Sequence, residues 1–120
     1  MNSSPNPPFN FEDRTFEFAK WVRRFVKTLP HNICNIEDVR QLVRSSGSVG
    51  ANYIEANEAL SKKDLRFRLR IARKESKESR YWLRLLDTGV DAKVEAERQR
   101  LVQESTELLK ILSAMLKGGD

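Results

Sequence analysis

The stretch RSSGSVGANYIEAN, residues 44–57, constrains the fold of this chain more than any other part of the sequence. It is rich in glycine, serine and asparagine, as loops are, yet apolar residues at helical spacing continue on both sides of it. Each glycine inside a helix costs about 1 kcal/mol relative to alanine, so a helix here requires a compensating contact. On a helical wheel Val49 and Gly50 face one side, while the small polar residues Ser45 and Asn52 face another. We therefore predict a continuous helix that is buried on more than one side; the alternative is a helix break at the two glycines.

Apolar residues recur at helical spacing in four segments, which together extend from residue 12 to residue 117. The segment boundaries follow from one proline, several candidate capping residues and one glycine: Pro30, Asn35 or Asp38, Ser61, Gly89 and Asp91. Four helices with short connections predict an all-α fold, an antiparallel up-down-up-down four-helix bundle. We assign residues 12–117 to this bundle. We expect residues 1–11, which are rich in proline and asparagine, to form a flexible N-terminal arm.

The composition argues against several classes of protein. No apolar run approaches the roughly 20 residues that span a bilayer, so we expect no membrane contact. The single cysteine, Cys34, has no partner for an internal disulfide, which favours a reducing cytoplasm. The single histidine, His31, lacks companions at metal-ligand or catalytic spacing, and no phosphate-binding glycine motif is present. We therefore expect a cytoplasmic protein with no enzymatic activity, no metal and no cofactor.

Positive charge is concentrated in the third predicted helix. The whole chain has a net charge of +5, whereas residues 61–86 contain ten basic residues against three acidic ones, a net +7. Most of these cations recur at helical spacing: Lys62, Lys63, Arg66, Arg70, Arg73, Lys77 and Arg84. Such a row suits a phosphate backbone, so we predict a nucleic-acid-binding face. The alternative is an ordinary solvated face, or pairing of these arginines with Glu58, Glu75 and Glu78.

The same helix carries more apolar surface than the core of one small bundle needs. The additional residues lie well round from its core-facing leucines: Phe67, Ile71, Trp82 and Leu85. Surplus apolar groups of this kind mark contacts between proteins, so we predict an oligomer interface. The alternative is that the fourth helix covers them.

Five polar residues of the second and third helices are predicted to form a structural polar network: Ser46, Asn52, Glu55, Glu75 and Ser76. Serine and asparagine hydrogen-bond across close helix contacts, which would explain their presence inside these helices. The alternative for the two glutamates is pairing with arginines. No histidine accompanies them at the spacing of a di-metal bundle site, so we expect no metal here.

Several short motifs in the middle of the chain resemble those of a known family. The pattern R-x-x-x-S-I-x-x-N-I-x-E-G, followed by S-x-x-E-F and a short I-A element, is matched at Arg44, Ser48, Val49, Asn52, Glu55, Ser61, Ile71 and Ala72. The departures are mild: Tyr53 for isoleucine, Ala56 for glycine and Asp64-Leu65 for Glu-Phe. In this pattern the chain is similar to the 23S rRNA intervening-sequence proteins, a four-helix-bundle family.

The resemblance implies an assembly and a set of partners. It implies a bundle that assembles as a ring-like homo-oligomer, typically a homopentamer. The YWLRLL motif of residues 81–86 also resembles the accessory variability protein of diversity-generating retroelements, a basic pentamer that works with a reverse transcriptase and RNA. RNA or DNA, a reverse transcriptase or another protein, and further copies of this chain are therefore candidate partners.

Two functions compete at this level. The leading hypothesis is a non-enzymatic homo-oligomer that binds nucleic acid, above all structured RNA, through the basic row of the third helix. The rival is a protein–protein adaptor or scaffold that does not bind nucleic acid directly. Salt-dependent RNA affinity separates the two hypotheses.

Overall fold

Four α-helices make up the part of the chain that the structure, a computed structural model, describes, namely residues 10–118. In chain order they are α1 (Phe11–Val26), α2 (Ile33–Asn57), α3 (Lys62–Leu85) and α4 (Ala92–Gly118). No strand occurs in residues 10–118, which confirms the all-α prediction. The helical region begins at Phe11, one residue earlier than predicted. Residues 1–9 of the predicted flexible arm lie outside the described residues.

Side-chain caps define the beginnings of the helices. The Ser61 hydroxyl accepts a hydrogen bond from the backbone of the first turn of α3, and the Asp91 carboxylate does the same for α4, as predicted. The predicted cap of α2 is wrong. That helix begins earlier, because Asn32, and neither Asn35 nor Asp38, supplies the side-chain oxygen that accepts from the first turn.

The helix α2 runs without a break through both glycines of residues 44–57, which confirms the continuous helix. The helix α1 approaches so closely at Gly50 that a Cβ atom there would lie 2.8 Å from Thr15 Oγ1. On a second side, Ser45 is fully buried, and its hydroxyl lies 2.9 Å from that of Ser79 on α3. These two close contacts offset the poor helix propensity of the stretch.

Two clusters of buried apolar side chains form the core. The first takes residues from all four helices: Phe18, Val22, Phe25, Leu42, Leu83, Leu101 and Leu108, among others. The second takes its buried residues from α2, α3 and α4: Val49, Ala56, Leu69, Ala72, Leu112 and Leu116. Because the core-facing stripe of α3 is occupied by its leucines, its charged residues are directed toward the flanks of the helix.

Asn35 joins the two loops at one end of the domain. Its side-chain amide donates hydrogen bonds to the carbonyls of Pro30 (2.9 Å) and Asp87 (2.8 Å), and its Oδ1 accepts one from the Asp87 N–H (2.9 Å). In the second of these loops Gly89 has a φ of +72°, which favours glycine, and allows the chain to turn into α4. The side chain of Asn35 thus supplies hydrogen-bond partners for backbone groups of both loops.

The helix α3 ends at Leu85, about two residues before its predicted end. The Arg98 guanidinium, from α4, donates hydrogen bonds of 3.0–3.2 Å to three carbonyls at this end, those of Leu83, Arg84 and Leu86. A cation is favoured there because the helix dipole is negative at its C-terminus. The hydrogen bonds that the Glu95 carboxylate accepts lower its pKa to about 2, and their donors are Gln99, Arg98 and Thr88.

Candidate nucleic-acid interface

The predicted basic row lies along the flank of α3 that faces α4. The middle of the row lines an open groove of about 400 Å³ between the two helices, formed by Arg70, Arg73, Lys74 and Lys77 from α3 and by Leu109 and Ser113 from α4. Lys62 and Lys63 are exposed in the first turn of α3, and Arg84 is exposed in the last. At a rise of 1.5 Å per residue, the row extends about 33 Å along the helix axis.

Arg66 combines a place in the row with a structural contact. Its Nη1 donates a hydrogen bond of 2.7 Å to the carbonyl of Leu116, near the end of α4. A helix leaves its last carbonyls without intrahelical donors, so this bond satisfies one of them. A substitution of Arg66 would therefore disturb the packing of α3 on α4 as well as the charge of the groove.

The carboxylates of α4 that contact another helix are directed toward α1. Glu104 accepts two hydrogen bonds of 2.8 Å from Arg14, and these raise the pKa of the Arg14 guanidinium. Glu97 accepts a hydrogen bond of 3.0 Å from Trp21 Nε1. In the groove itself, α4 contributes a leucine and a serine rather than a carboxylate.

The two glutamates of α3 also leave most of the row unpaired. Arg44 of α2 lies 3.6 Å from Glu75 and 3.4 Å from Glu78, and the second glutamate lies 3.7 Å from Lys74 as well. Within residues 10–118, no ion pair is described for six cations of the row, namely Lys62, Lys63, Arg70, Arg73, Lys77 and Arg84. The alternative in which these glutamates neutralise the row is therefore wrong for its central members, and the groove carries uncompensated positive charge.

The contribution of α4 to this surface was missed from the sequence. Arg80 of α3 donates a hydrogen bond of 3.3 Å to Thr106 Oγ1. Lys110, Ser113 and Lys117 follow Thr106 at spacings of three or four residues, so all four lie along one stripe of α4. The spacing of these residues could have indicated a polar stripe on α4. The net charge of residues 91–117 is zero, so the charge balance of the segment gave no indication of it.

The predicted interface residues lie on a different flank of α3 from the basic row. Phe67 is 53% exposed and Leu85 is 49% exposed, so α4 does not cover them. Ile71 and Trp82 are partly buried, and the tryptophan ring packs against the first core cluster. Tyr81, which was not predicted, is 55% exposed and meets the Trp82 ring edge-on with centroids 5.1 Å apart.

The five residues of the predicted polar network do not hydrogen-bond to one another within residues 10–118. Ser46 and Ser76 donate to carbonyls of their own helices, a bond that satisfies a buried hydroxyl without a partner helix. Asn52 accepts a hydrogen bond of 3.2 Å from Arg68, and Glu55 is exposed. Glu75, the fifth member, lies 3.6 Å from Arg44, as described above. The hydroxyl contact that does join α2 to α3 is the Ser45–Ser79 pair, which sequence reasoning did not select.

Other kinds of site have little support in residues 10–118. None of the helices there is both long enough and apolar enough to cross a membrane. The same residues contain no group of three or more histidine, cysteine or carboxylate side chains placed to hold a metal ion. His31 and Cys34 are both exposed. The groove between α3 and α4, by contrast, brings four cations together.

The fold and this groove define an all-α, four-helix protein with a strongly basic flank. The sequence profile described as 23S rRNA-intervening sequence protein matches residues 10–114, so the chain belongs to that family. A similar solved structure is that of a protein of unknown function from the S23 ribosomal protein family of Bacteroides thetaiotaomicron. It is 32% identical, aligns over 90% of this chain and 99% of its own, and has a TM-score of 0.75. No curated protein matches this chain.

Proposed function

We propose that this protein is a non-enzymatic, cytoplasmic homo-oligomer that binds structured RNA through the basic row of α3. The observation that carries the proposal is the set of cations in the α3–α4 groove for which no ion pair is described. Uncompensated cations at fixed positions attract a polyanion, and arginine can bind two phosphate oxygens at once. A family named for an intervening sequence of ribosomal RNA is consistent with an RNA partner.

The test is a binding titration against a structured RNA at about 50 and 200 mM salt. Several phosphate contacts predict an affinity loss of about a thousandfold across that range, because each contact releases counterions. Arg70→Glu combined with Lys77→Glu should weaken binding at least tenfold and reduce the salt slope by about two contacts. These two residues are exposed, so the variant should fold.

A matched control reverses two cations elsewhere. Arg24 and Arg40 are exposed on α1 and α2, and Arg24→Glu with Arg40→Glu changes the net charge by the same amount. If both double variants lose affinity equally, the net charge rather than the groove is responsible. If the wild-type protein does not bind RNA at low salt, the proposal fails.

The helices are proposed to form an antiparallel up-down-up-down bundle. Contacts between neighbouring helices support this arrangement, because residue numbers rise along one helix as they fall along the next. Between α2 and α3 the pairs are Ser45 with Ser79 and Asn52 with Arg68. Between α3 and α4 the pairs are Arg66 with Leu116 and Arg80 with Thr106.

A ring-like homo-oligomer, a pentamer by the resemblance given above, is proposed to cover the apolar flank of α3. Phe67 and Leu85 expose about half of their surface there. Large exposed apolar side chains of this kind mark contacts between proteins, so a further copy of this chain is the proposed cover.

Light scattering of charged variants tests the assembly. Phe67→Glu with Leu85→Glu should reduce the molecular mass in solution, because two carboxylates would be buried in the interface. Phe16→Glu is the control, since Phe16 is somewhat more exposed than either residue but lies on α1. An unchanged mass for the double variant would contradict this location of the interface.

The second candidate function is a protein–protein adaptor, and the exposed aromatic groups of α3 favour it. Phe67 and Tyr81 could receive a different protein, such as a reverse transcriptase, instead of a further copy. This candidate predicts co-purification of a defined protein partner and no RNA affinity at physiological salt. It also predicts that the Arg70→Glu, Lys77→Glu variant retains that partner.

A further inference from the structure

We propose that the α3–α4 groove binds the phosphate backbone of an RNA double helix and discriminates against single-stranded RNA. This inference rests on the RNA binding proposed above and specifies the form of RNA that the groove accepts. Three features support it: the residues that line the groove, the spacing of the cations and the side chains around them.

The groove offers no aromatic ring on which an unpaired base could stack. Its six lining residues are four cations, one leucine and one serine, and none of them is aromatic. Proteins that hold single strands combine a basic channel with aromatic rings that stack on successive bases. The exposed rings of Phe16 and Phe67 lie on α1 and on another flank of α3. Tyr81 lies one turn beyond Lys77, and its ring edge is against Trp82.

The cations are held at regular intervals on a rigid element. From Arg66 to Lys77, successive members of the row lie three or four residues apart, which corresponds to about 4.5–6 Å along the helix axis. Lys110 and Lys117 lie on the adjoining stripe of α4, and Lys110 lies 3.7 Å from Glu107. The surface therefore presents one row of charge on α3, and the Ser113 hydroxyl of α4 lines the groove beside it.

A double helix matches a rigid row of charge better than a single strand does. Its phosphates are already fixed, so the row can find partners without ordering the ligand. A flexible strand loses conformational freedom when it follows a rigid row, and this groove provides no aromatic ring to offset that loss. Counterion release is also larger for each contact with a duplex than with a single strand. The deep, narrow major groove of an A-form helix keeps side chains from its bases, and double-stranded RNA is recognised mostly by its shape, its phosphates and its 2′-hydroxyls.

The test compares one unstructured RNA strand of about 20 nucleotides, longer than the row, with the duplex that it forms with its complement. Fluorescence anisotropy at low salt should give a dissociation constant at least about tenfold lower for the duplex. Arg70→Glu with Lys77→Glu should remove most of the duplex affinity. Tyr81→Ala, which removes the exposed ring one turn beyond Lys77, should leave duplex affinity unchanged.

The outcomes separate this inference from the function on which it rests. Tighter binding of the duplex, together with an unaffected Tyr81→Ala variant, supports the inference. Equal or tighter binding of the single strand, weakened by Tyr81→Ala, would overturn it while leaving RNA binding intact. Failure of the wild-type protein to bind either RNA would overturn both proposals.

Discussion

Replacing Asn35 with alanine should destabilise the domain more than its position near the start of α2 would indicate. The substitution removes three hydrogen bonds that join the α1–α2 loop to the α3–α4 loop. The side chain is buried, with only 2% of the residue exposed. Two carbonyls and one N–H would then lose their partners together.

The magnitude follows from these three bonds. Each contributes about 1 kcal/mol net, so the loss should be about 3 kcal/mol. A domain of this class is stable by about 5–15 kcal/mol in total, so this is a large fraction. In a domain of about this size, 3 kcal/mol corresponds to a melting temperature lower by about 10 °C.

Urea unfolding followed by circular dichroism measures the effect, with both proteins at the same concentration because assembly affects stability. Asn57→Ala is the matched control, since Asn57 is exposed on the same helix and its loss should change stability by no more than about 0.5 kcal/mol. Asn35→Asp should cost more than Asn35→Ala at neutral pH, because a carboxylate would face the carbonyls of Pro30 and Asp87. A cost below about 1 kcal/mol for Asn35→Ala would refute the view that this side chain joins the two loops.

Two further predictions concern helix contacts and pH. Gly50→Ala should destabilise the protein by about 1–3 kcal/mol in the same urea assay, because the new Cβ would lie 2.8 Å from Thr15 Oγ1. Thr15→Ala should recover part of that loss, and no recovery would place the strain elsewhere. Hydrogen bonds from Gln99 and Arg98 lower the pKa of Glu95 to about 2, below its usual value of 4.5. The stabilisation from Glu95 is therefore complete above pH 4.5 and is lost as the pH falls toward 2. Thermal melts should show a smaller loss between pH 5 and about 2 in Glu95→Gln than in the wild-type protein, and identical pH profiles would contradict this assignment.

The four helices could be predicted from the sequence because their causes are local. Apolar spacing, the Ser61 and Asp91 caps and the break at Pro30 act within a few residues of one another. The continuity of α2 was also predictable, since its small residues required neighbours on two sides. The identity of those neighbours was not, because the contacts of Gly50 with Thr15 and of Ser45 with Ser79 join residues more than 30 positions apart.

The roles of individual polar residues were the least predictable part. Asn35 resembled a helix cap in the sequence, yet in the structure it bonds to a loop 52 positions away. The serines of the predicted network bond to their own helices, since a hydroxyl can take a nearby carbonyl as well as a distant partner. A sequence lists the donors and acceptors, but the choice among partners depends on which groups the fold brings within about 3 Å.

The sequence by itself determined that a basic row lies on one helix, because charge and helical spacing are properties of the residue order. Only the tertiary structure decided that the centre of this row is uncompensated. That outcome depends on which partners the nearby carboxylates take: Glu104 of α4 bonds to Arg14 of α1, and Glu75 of α3 lies beside Arg44 of α2. The charge of the row depends on its own residues. Its electric field also depends on the charged groups that folding places near it or keeps away from it.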